Sequence, residues 1–521
     1  MGVYTVIEIN STFIEMKIYE KKENGYKVLE KVTEDINLFK EIKDKDEISL
    51  EKMRKLCEIL KKMDNLSRDY GTTEKKIIFS EFFKTITNFP MVLDQIKLKV
   101  NLPVESIDLS EKTYYSIKKL IHLEKEVFSK KESRLFFNLK SFSSGVYLFY
   151  KGELSINEHI NLGTEKLYLI LEENNINSKK AFDFICDYME SYTEFIRRDV
   201  GRKIIKKLIL EGELEGKLLK LIFGKKDLKN LTLSELKEKI KFLQEHSYNE
   251  ISTKYKCSVL TAKLMVISIS LIISFADYFE VKEIKFLDFN IKDLCTLEKF
   301  YPEIRYFFEE TLWKITLDSV IDLGEKFDFD REHSEFVKNI GIKLLDKLKG
   351  YHSLGLKDYK YFIIAAYLHD VGKAIDFENH SKHSAYILEN TTIFGLNREM
   401  IEKIVFIVRA HTSNTKLESL YNYGLKGEEL IKLLKIIAII KIATSLDRGK
   451  KRRLYNEKIN LTKNNLIIEM DTKEDFYMEK SSFEKQSKLF KYLFDLDIEL
   501  KINRRFGEWV PILERTFTTE R

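Results

Sequence analysis

The sequence predicts an α/β region, then an all-α region, then a small α+β tail. Three observations carry that reading. Short runs of apolar and polar alternation interleave with helical periods up to Phe300. From Tyr301 and Pro302 the chain turns to helices with long apolar stripes. Beyond Arg453 a hairpin pattern returns and is followed by one helix and one strand.

Taken in order, VYTVIEIN and FIEMKIYE alternate as a β-hairpin, and SLEKMRKLCEILKKMDNLSRDYG has helical period with a glycine stop. KKIIF reads as a strand, then a helix, the strand-like PVESIDL and another helix. LFFNLKSF and GVYLFYKGELS form a second strand pair. From Val200 to Phe279 the pattern is mainly helical, clearest in LTLSELKEKIKFL and LTAKLMVISISLII, and the strand EIKFLDF closes it. HSEFVKNIGIKLLDKLKG then sets Val337, Ile340, Leu344, Leu345 and Leu348 on one stripe and ends at Gly350. KDYKYFIIAAYLHD, NREMIEKIVFIVRAH and KGEELIKLLKIIAIIKIATSLD are three more apolar helices. INLTKNNLIIEM turns at Lys463 to Asn465, and LDIELKIN is a last strand. The sequence shows no internal repeat and no low-complexity linker.

A chain of 521 residues with 44% hydrophobic content can bury several cores, and domains of roughly 100–200 residues predict three or four units. Lys+Arg 89 against Asp+Glu 83 leaves a net charge of +6, so no nucleic-acid partner is expected. The local exception is RGKKRR, Arg448 to Arg453. Cys57, Cys186, Cys257 and Cys295 have neither metal-type nor redox-type spacing, which suits unpaired thiols in a reducing cytoplasm. The first residues, MGVYTVIEINSTFIEMKIYE, do not follow the pattern of an export signal. Leu264 to Ala276 is strongly apolar but lies between Lys263 and Asp277 and falls short of the ~20 residues of a span, so a core helix and no membrane partner are expected.

Of nine histidines, three fall in YLHDVGKAIDFENHSKHSAYIL, Tyr367 to Leu388. Each of the three apolar helices named above ends in or beside a candidate metal ligand. The set is His333, His369, Asp370, His380, His411 and Asp447, all nitrogen or oxygen donors, which suit one or two divalent ions such as Mn²⁺, Fe²⁺ or Mg²⁺. A carboxylate among imidazoles can bridge two ions, and a hydroxide between them can attack phosphorus in line. Asp370 and Lys373 are therefore the catalytic candidates, Lys373 as a stabiliser of a phosphate oxygen. Arg448, Lys450 and Lys451 are the candidates for substrate binding, with Lys450 to Arg453 as a positive track for a longer anion. His383 is second to His380 as a ligand, and His122, His159, His246 and His352 read as surface residues.

The ordered set, His333 in DREHSEF, His369 and Asp370 in LHDVGK, His380 in NHSKHSA, His411 in VRAHTS and Asp447 in SLDRGK, resembles the HD superfamily of metal-dependent phosphohydrolases. Members with two extra histidines usually hold two metals. The order of elements over the whole chain also resembles the exopolyphosphatase and guanosine pentaphosphate phosphatase (Ppx/GppA) family, on VIEINSTFIEMKIYE, LFFNLKSFSSGVYLF, NHSKHSAYIL and SLDRGKKRR. The resemblance implies two actin-like (ribonuclease H-like) lobes at 1–125 and 126–310, an HD-type helical domain at 311–455 and an α+β extension at 456–521. It also implies a homodimer.

Several departures accompany the resemblance. Where the family's first phosphate loop has Asp, Gly, Ser, Asn and Ser, this chain has Glu8, Asn10, Ser11, Thr12 and Phe13. Asn138, Lys140, Ser141 and Phe142 stand at the second loop. Tyr114 falls near the catalytic glutamate, and Glu211 to Glu213 near the third loop. The expected activity is hydrolysis of a phosphoester or phosphoanhydride, on a nucleotide, alarmone or polyphosphate-like substrate, carried by the helical domain. Exopolyphosphatase or pentaphosphate phosphatase activity at the lobes, and a non-catalytic sensor or scaffold that binds nucleotide or polyphosphate, are the alternatives.

Overall fold

The computed structural model describes residues 2–36, 38, 46–80, 83, 86–100, 104–105, 109–124, 132–201, 203–224, 228, 230–287, 290–412 and 427–504. The chain divides into two compact units, Met1–Ser319 with Ile393–Asn397, and Val320–Thr392 with Arg398–Arg521.

The first unit is built on two sheets. One contains β1 (Val3–Ile9), β2 (Phe13–Lys21), β3 (Tyr26–Asp35), β4 (Glu74–Phe79) and β5 (Val104–Glu105), in the order β3-β2-β1-β4-β5. Its helices are α1 (Leu50–Asp69) and α2 (Phe89–Val100), while α3 (Leu109–Leu123) buries Ile117, Leu120 and Ile121 with residues of the second sheet. The second sheet contains β6 (Arg134–Leu139), β7 (Ser144–Tyr150), β8 (Glu153–Ile160), β9 (Lys207–Glu211), β10 (Leu231–Thr232) and β11 (Glu283–Phe286), in the order β10-β11-β9-β6-β7-β8. With it go α4 (Thr164–Glu173), α5 (Ser178–Val200), α6 (Glu213–Phe223), α7 (Leu233–Glu245), α8 (Tyr248–Tyr255) and α9 (Val259–Tyr278), whereas α10 (Ile291–Phe300) packs on β1 and β2 of the first sheet. α11 (Pro302–Lys326) leads into the second unit.

In both sheets three antiparallel strands are extended by parallel ones: β1 pairs with β2 antiparallel and β4 parallel, β6 with β7 antiparallel and β9 parallel. The topology therefore repeats, although the sequence shows no repeat. The expected N-terminal hairpin gains a third strand, β3, whose residues are mostly exposed or half-buried. An edge strand with no buried face has no apolar alternation to betray it. Of PVESIDL only Val104–Glu105 is described as strand, and 106–108 lie outside the described residues.

α9 is long and apolar enough to cross a membrane by composition, and it is the core helix of the second sheet, with Leu264 to Ala276 buried throughout. Phe275 on α9 stacks on Phe137 of β6, centroids 3.9 Å apart. Buried ion pairs fasten the first sheet to α10. Lys292, fully buried, contacts Glu8 and lies 3.1 Å from Glu15, while Asp293 accepts from Lys17 at 3.1 Å and Tyr19 at 2.7 Å.

The second unit packs α12 (Arg331–Lys347), α13 (Leu356–Leu368), α14 (His380–Glu389), α15 (Arg398–Ala410), α16 (Gly427–Ser445) and α17 (Tyr477–Phe494) with a third sheet, β12 (Tyr455–Leu461), β13 (Asn465–Thr472) and β14 (Asp497–Arg504). α12 lies against α13 and α16, α14 against α15, and α16 against α17. Gly341 permits the approach of α12 to α13, because a Cβ there would overlap the Phe362 ring. These elements match the helices and hairpin expected from the apolar periodicity, since each buries one continuous stripe.

Candidate metal centre

Each candidate ligand stands at a helix end. Asp330 caps α12 by accepting the His333 N–H at 2.9 Å, which puts His333 in the first turn facing inward. His369 and Asp370 follow α13, His380 opens α14, His411 follows α15 and Asp447 follows α16. The turn after Asp370 is fixed by Ser384, which accepts from the Gly372 N–H at 2.8 Å and donates to the His369 carbonyl at 2.8 Å. A side chain at Gly372 would overlap the His380 carbonyl and the Ser384 nitrogen, so the HDVG segment needs glycine in order to dock on α14.

All six residues are buried. Two groups have donor atoms within 4.8 Å of one another, His333, His369 and Asp370, and Asp370, His380 and His411. Asp370 belongs to both. Its Oδ1 lies 3.7 Å from His369 Nε2, 3.5 Å from His380 Nε2 and 3.9 Å from His411 Nε2. The other nitrogen of each ring is taken up by a main-chain carbonyl three residues earlier: His369 Nδ1 by Ala366 at 2.9 Å, His380 Nδ1 by Phe377 at 2.7 Å and His411 Nδ1 by Val408 at 2.5 Å. Such bonds fix the tautomer and leave Nε2 as the free lone pair, as in metal-binding imidazoles generally. Asp447 stands one step outside the two groups. Its Oδ2 is 2.7 Å from His333 Nδ1, and its Oδ1 accepts the Arg452 N–H at 2.8 Å. His383 is half-buried and belongs to neither group.

Burial pushes His369 down to about 4, His411 well below the ordinary histidine value and His380 lower in the same direction. The rings are thus neutral at pH 7, the form that ligates. Burial alone would raise Asp370, yet His369, Lys373 and Lys450 outweigh it and hold the carboxyl well below its usual range. The donor set, three oriented imidazoles around a shared carboxylate with a fourth imidazole beside it, fits one or two divalent ions.

A cleft of about 420 Å³ opens over these residues. Lys373 and Lys450 enter it and contact Asp370 Oδ2 at 2.5 and 2.8 Å. Arg448 also lines it. Burial draws Lys373 below the ordinary lysine value, whereas Asp370 outweighs burial at Lys450 and raises it. The positive track expected along Lys450 to Arg453 is not built. Lys451 is exposed and outside the cleft lining, Arg452 contacts Glu332, and Arg453 lies 3.3 Å from Glu474 and 3.8 Å from Glu479. Left-handed backbone at Lys450 and Arg452 turns alternate side chains away from one another, so a charge run in sequence is not a charge run in space. Lys441, Thr444 and the residues of α17 that line the cleft were not among the candidates. Lys441 alone carried a signal, as a lone charge inside IIAIIKIATS. It donates to the Thr412 carbonyl at 2.7 Å, and burial draws it down to about 8.

The lobes hold a smaller cleft of about 150 Å³, lined by Glu8, Ser11, Phe13, Asn138, Phe142, Glu165, Glu211 and Glu215 among others. This is below the ~300 Å³ at which small-molecule pockets usually begin, but a second cleft of about 440 Å³ adjoins it through Lys119, Glu211, Gly212 and Ile291. Phe13 opens β2 and carries Lys217 Nζ 3.1 Å from its ring centroid. Tyr114 lies outside the lining and stacks on Phe394. The lobes are nonetheless not devoid of carboxylates. Glu8 is neutralised by Lys292 and Glu211 by Lys119, while Glu165 accepts from Ser11 at 3.0 Å and Glu215 from Thr164 at 2.6 Å. Glu8 is accordingly a structural residue rather than a neutral place for a test substitution. The remaining histidines are half-buried rather than on the surface, and His159 lies 3.3 Å from the Tyr147 hydroxyl.

Burial raises both Glu165 and Glu215 to about 7 from an ordinary value of 4.5. A carboxyl raised on folding contributes full stability below its unfolded value and loses it as pH rises through the folded one. Unfolding free energy is therefore expected to fall between about pH 5 and pH 8, by on the order of a few kcal/mol, and to level off above. Glu165→Gln and Glu215→Gln should flatten that slope in denaturant titrations. An unchanged slope in the double variant would assign the pH dependence elsewhere.

A pair of α/β lobes with a repeated sheet order, in one chain with a helical unit bearing clustered His and Asp side chains, defines an actin-like fold joined to a helical unit. Residues 315–489 match the family model described as Ppx/GppA phosphatase, domain III. A guanosine-5'-triphosphate,3'-diphosphate pyrophosphatase of Pseudoalteromonas translucida is 26% identical over 131 residues, which cover 24% of this chain and 26% of the relative. The protein of the same name from Aeromonas hydrophila is 28% identical over 127 residues, covering 24% and 25%. The chain thus spans about a quarter of the length of the curated relatives it matches. The crystal structure of an exopolyphosphatase from Cytophaga hutchinsonii superposes with a TM-score of 0.50 at 15% identity, covering 57% of this chain and 98% of that one, a likeness of fold.

Proposed function

We propose that the chain is a phosphohydrolase of the Ppx/GppA type whose reaction is carried by the helical unit, on a phosphoester or phosphoanhydride. The observation that supports this most is the orientation of three imidazoles toward Asp370 Oδ1, each with its other nitrogen already bonded to main chain. His333, His369, Asp370, His380 and His411 would hold one or two divalent ions, with Asp447 joined to them through His333. Bound there, the metal would supply Lewis acidity and a hydroxide nucleophile at neutral pH. The chain's own cations bind and orient the substrate. Lys373 and Lys450 exchange Asp370 for phosphate oxygens, and Arg448 grips a phosphate with two parallel N–H bonds.

The test is hydrolysis by the metal-loaded full chain of polyphosphate, guanosine tetraphosphate, cyclic dinucleotides and simple nucleotides, read as released phosphate or pyrophosphate and as product nucleotide, before and after chelation. Arg448→Gln is expected to lower kcat/KM by roughly tenfold, the ~1.4 kcal/mol of one charge-assisted contact. Ser11→Ala, in the lobe cleft, is expected to leave the rate within about twofold. A hundredfold loss in Ser11→Ala with folding intact, alongside unchanged kinetics in Arg448→Gln, would return the reaction to the lobes.

A further inference from the structure

Among the described residues five lysine and arginine side chains are buried, and four of them face a carboxylate. Lys118 contacts Glu298, Lys119 contacts Glu211, Lys292 contacts Glu8, and Arg134 lies 3.1 Å from Glu132. The fifth is Lys441, the one charge in the apolar run from Ile436 to Ala443 of α16. Its ammonium donates to the neutral Thr412 carbonyl at 2.7 Å, and among the described residues no carboxylate forms an ion pair with it. Burial, with no neighbouring carboxylate to oppose it, draws the group down to about 8, so most molecules still carry the charge at pH 7.

An ammonium in such a place is costly, because burial strips its hydration and a single carbonyl satisfies one of its three N–H groups. Leu or Met would fill the same position of α16 without that cost. Lys441 nonetheless lines the cleft over the metal centre, beside Thr412 and Thr444, so its two other N–H groups are available to a ligand there. The remaining cations of the cleft differ from it. Lys373 and Lys450 must give up Asp370 Oδ2 before they receive an anion, while Arg448 and Lys485 are exposed and hydrated. Lys441 has no carboxylate to release and little water to lose. Its partner Thr412 follows His411, which puts this charge on the His411 side of the cleft.

From this we infer that Lys441 is the anchoring cation of the cleft, its ammonium holding an anionic oxygen of the substrate on the His411 side. The inference rests on the hydrolase reading of the same cleft, and direct binding of inorganic phosphate separates the two. Were Lys441 only a tie between α16 and the end of α15, its removal would loosen His411 and lower both stability and metal affinity. The full chain, loaded with Mn²⁺, is titrated calorimetrically with inorganic phosphate at pH 7, alongside Lys441→Met and Lys441→Gln. Both variants are expected to bind phosphate roughly tenfold or more weakly, the scale of one hydrogen bond to a charged group. Both should hold Mn²⁺ within about twofold of the unaltered chain and unfold in urea at the same or a higher midpoint, since an uncompensated buried charge has been removed. Gln still offers an N–H to the Thr412 carbonyl, so phosphate affinity recovered in that variant would assign Lys441 the tie and overturn the inference. So would loss of Mn²⁺ or of the fold together with phosphate, unchanged phosphate affinity in both variants, or an unaltered chain that binds no phosphate. Phosphate binding that depends on Lys441, in a chain that hydrolyses nothing, would keep the anchor and defeat the hydrolase. Hydrolysis with kinetics and phosphate affinity unchanged in both variants would do the reverse.

Discussion

Asp370→Ala is expected to keep its fold and lose most of its divalent metal, with phosphate release falling at least in proportion. Asp370 is shared by both groups of donor atoms, so its removal strips the only carboxylate from each. Loss of partners that merely orient ligands costs 10–100-fold in metal affinity, and loss of a shared anionic ligand should cost at least about a hundredfold. The packing around it tolerates the change, because Lys373 and Lys450 are 24% and 28% exposed and can turn to water. The unaltered chain should gain roughly 2.7 kcal/mol of stability at a metal concentration 100 times Kd. The variant should show almost none of that gain. Metal content after dialysis, and Tm with and without Mn²⁺, are the measurements. Full stoichiometric metal in Asp370→Ala would remove Asp370 from the ligand set.

Lys292→Met is expected to destabilise the first unit by about 3–5 kcal/mol. The ammonium is fully buried between Glu8 and Glu15, and its loss removes this counter-charge from both buried carboxylates and leaves Glu15 to Lys31 at 3.0 Å. Burial alone would raise Glu15, yet Lys292 and Lys31 outweigh it and hold the carboxyl below its ordinary value. In the intact pair that depression contributes stability at neutral pH, which is lost as pH falls through the folded value. The cost is one of an unpaired charge rather than of packing. Glu8→Gln combined with Glu15→Gln in the Lys292→Met background should therefore recover most of it. Urea unfolding of the two variants decides this, and Lys292→Met within about 1 kcal/mol of the unaltered chain would show that the buried triad is energetically idle.

The candidate ligands were legible because metal chemistry restricts residue type and because helix ends can be read from apolar periodicity. LHDVGK shows both, a run of buried apolar residues that stops at a His-Asp pair, with glycine where α14 docks. The cation track failed for the opposite reason. RGKKRR is continuous in sequence, but the backbone turns within it and the neighbouring carboxylates Glu332, Glu474 and Glu479 take up its last two arginines. Tyr477, which lines the cleft, could not be singled out among 26 tyrosines, since its place there is set by the packing of the helix it opens.

The sequence by itself determined most of the helices, the helical character of the second unit and the candidate residues for holding metal. Each of these depends on local pattern or on residue chemistry. Only the tertiary structure revealed that the two sheets repeat one strand order, that β3 completes the first sheet, and that Glu8 is buried against Lys292. Strand order is set by pairing between segments far apart in the chain, and core positions constrain volume and polarity rather than identity. Two lobes can therefore share a topology while their sequences share nothing visible.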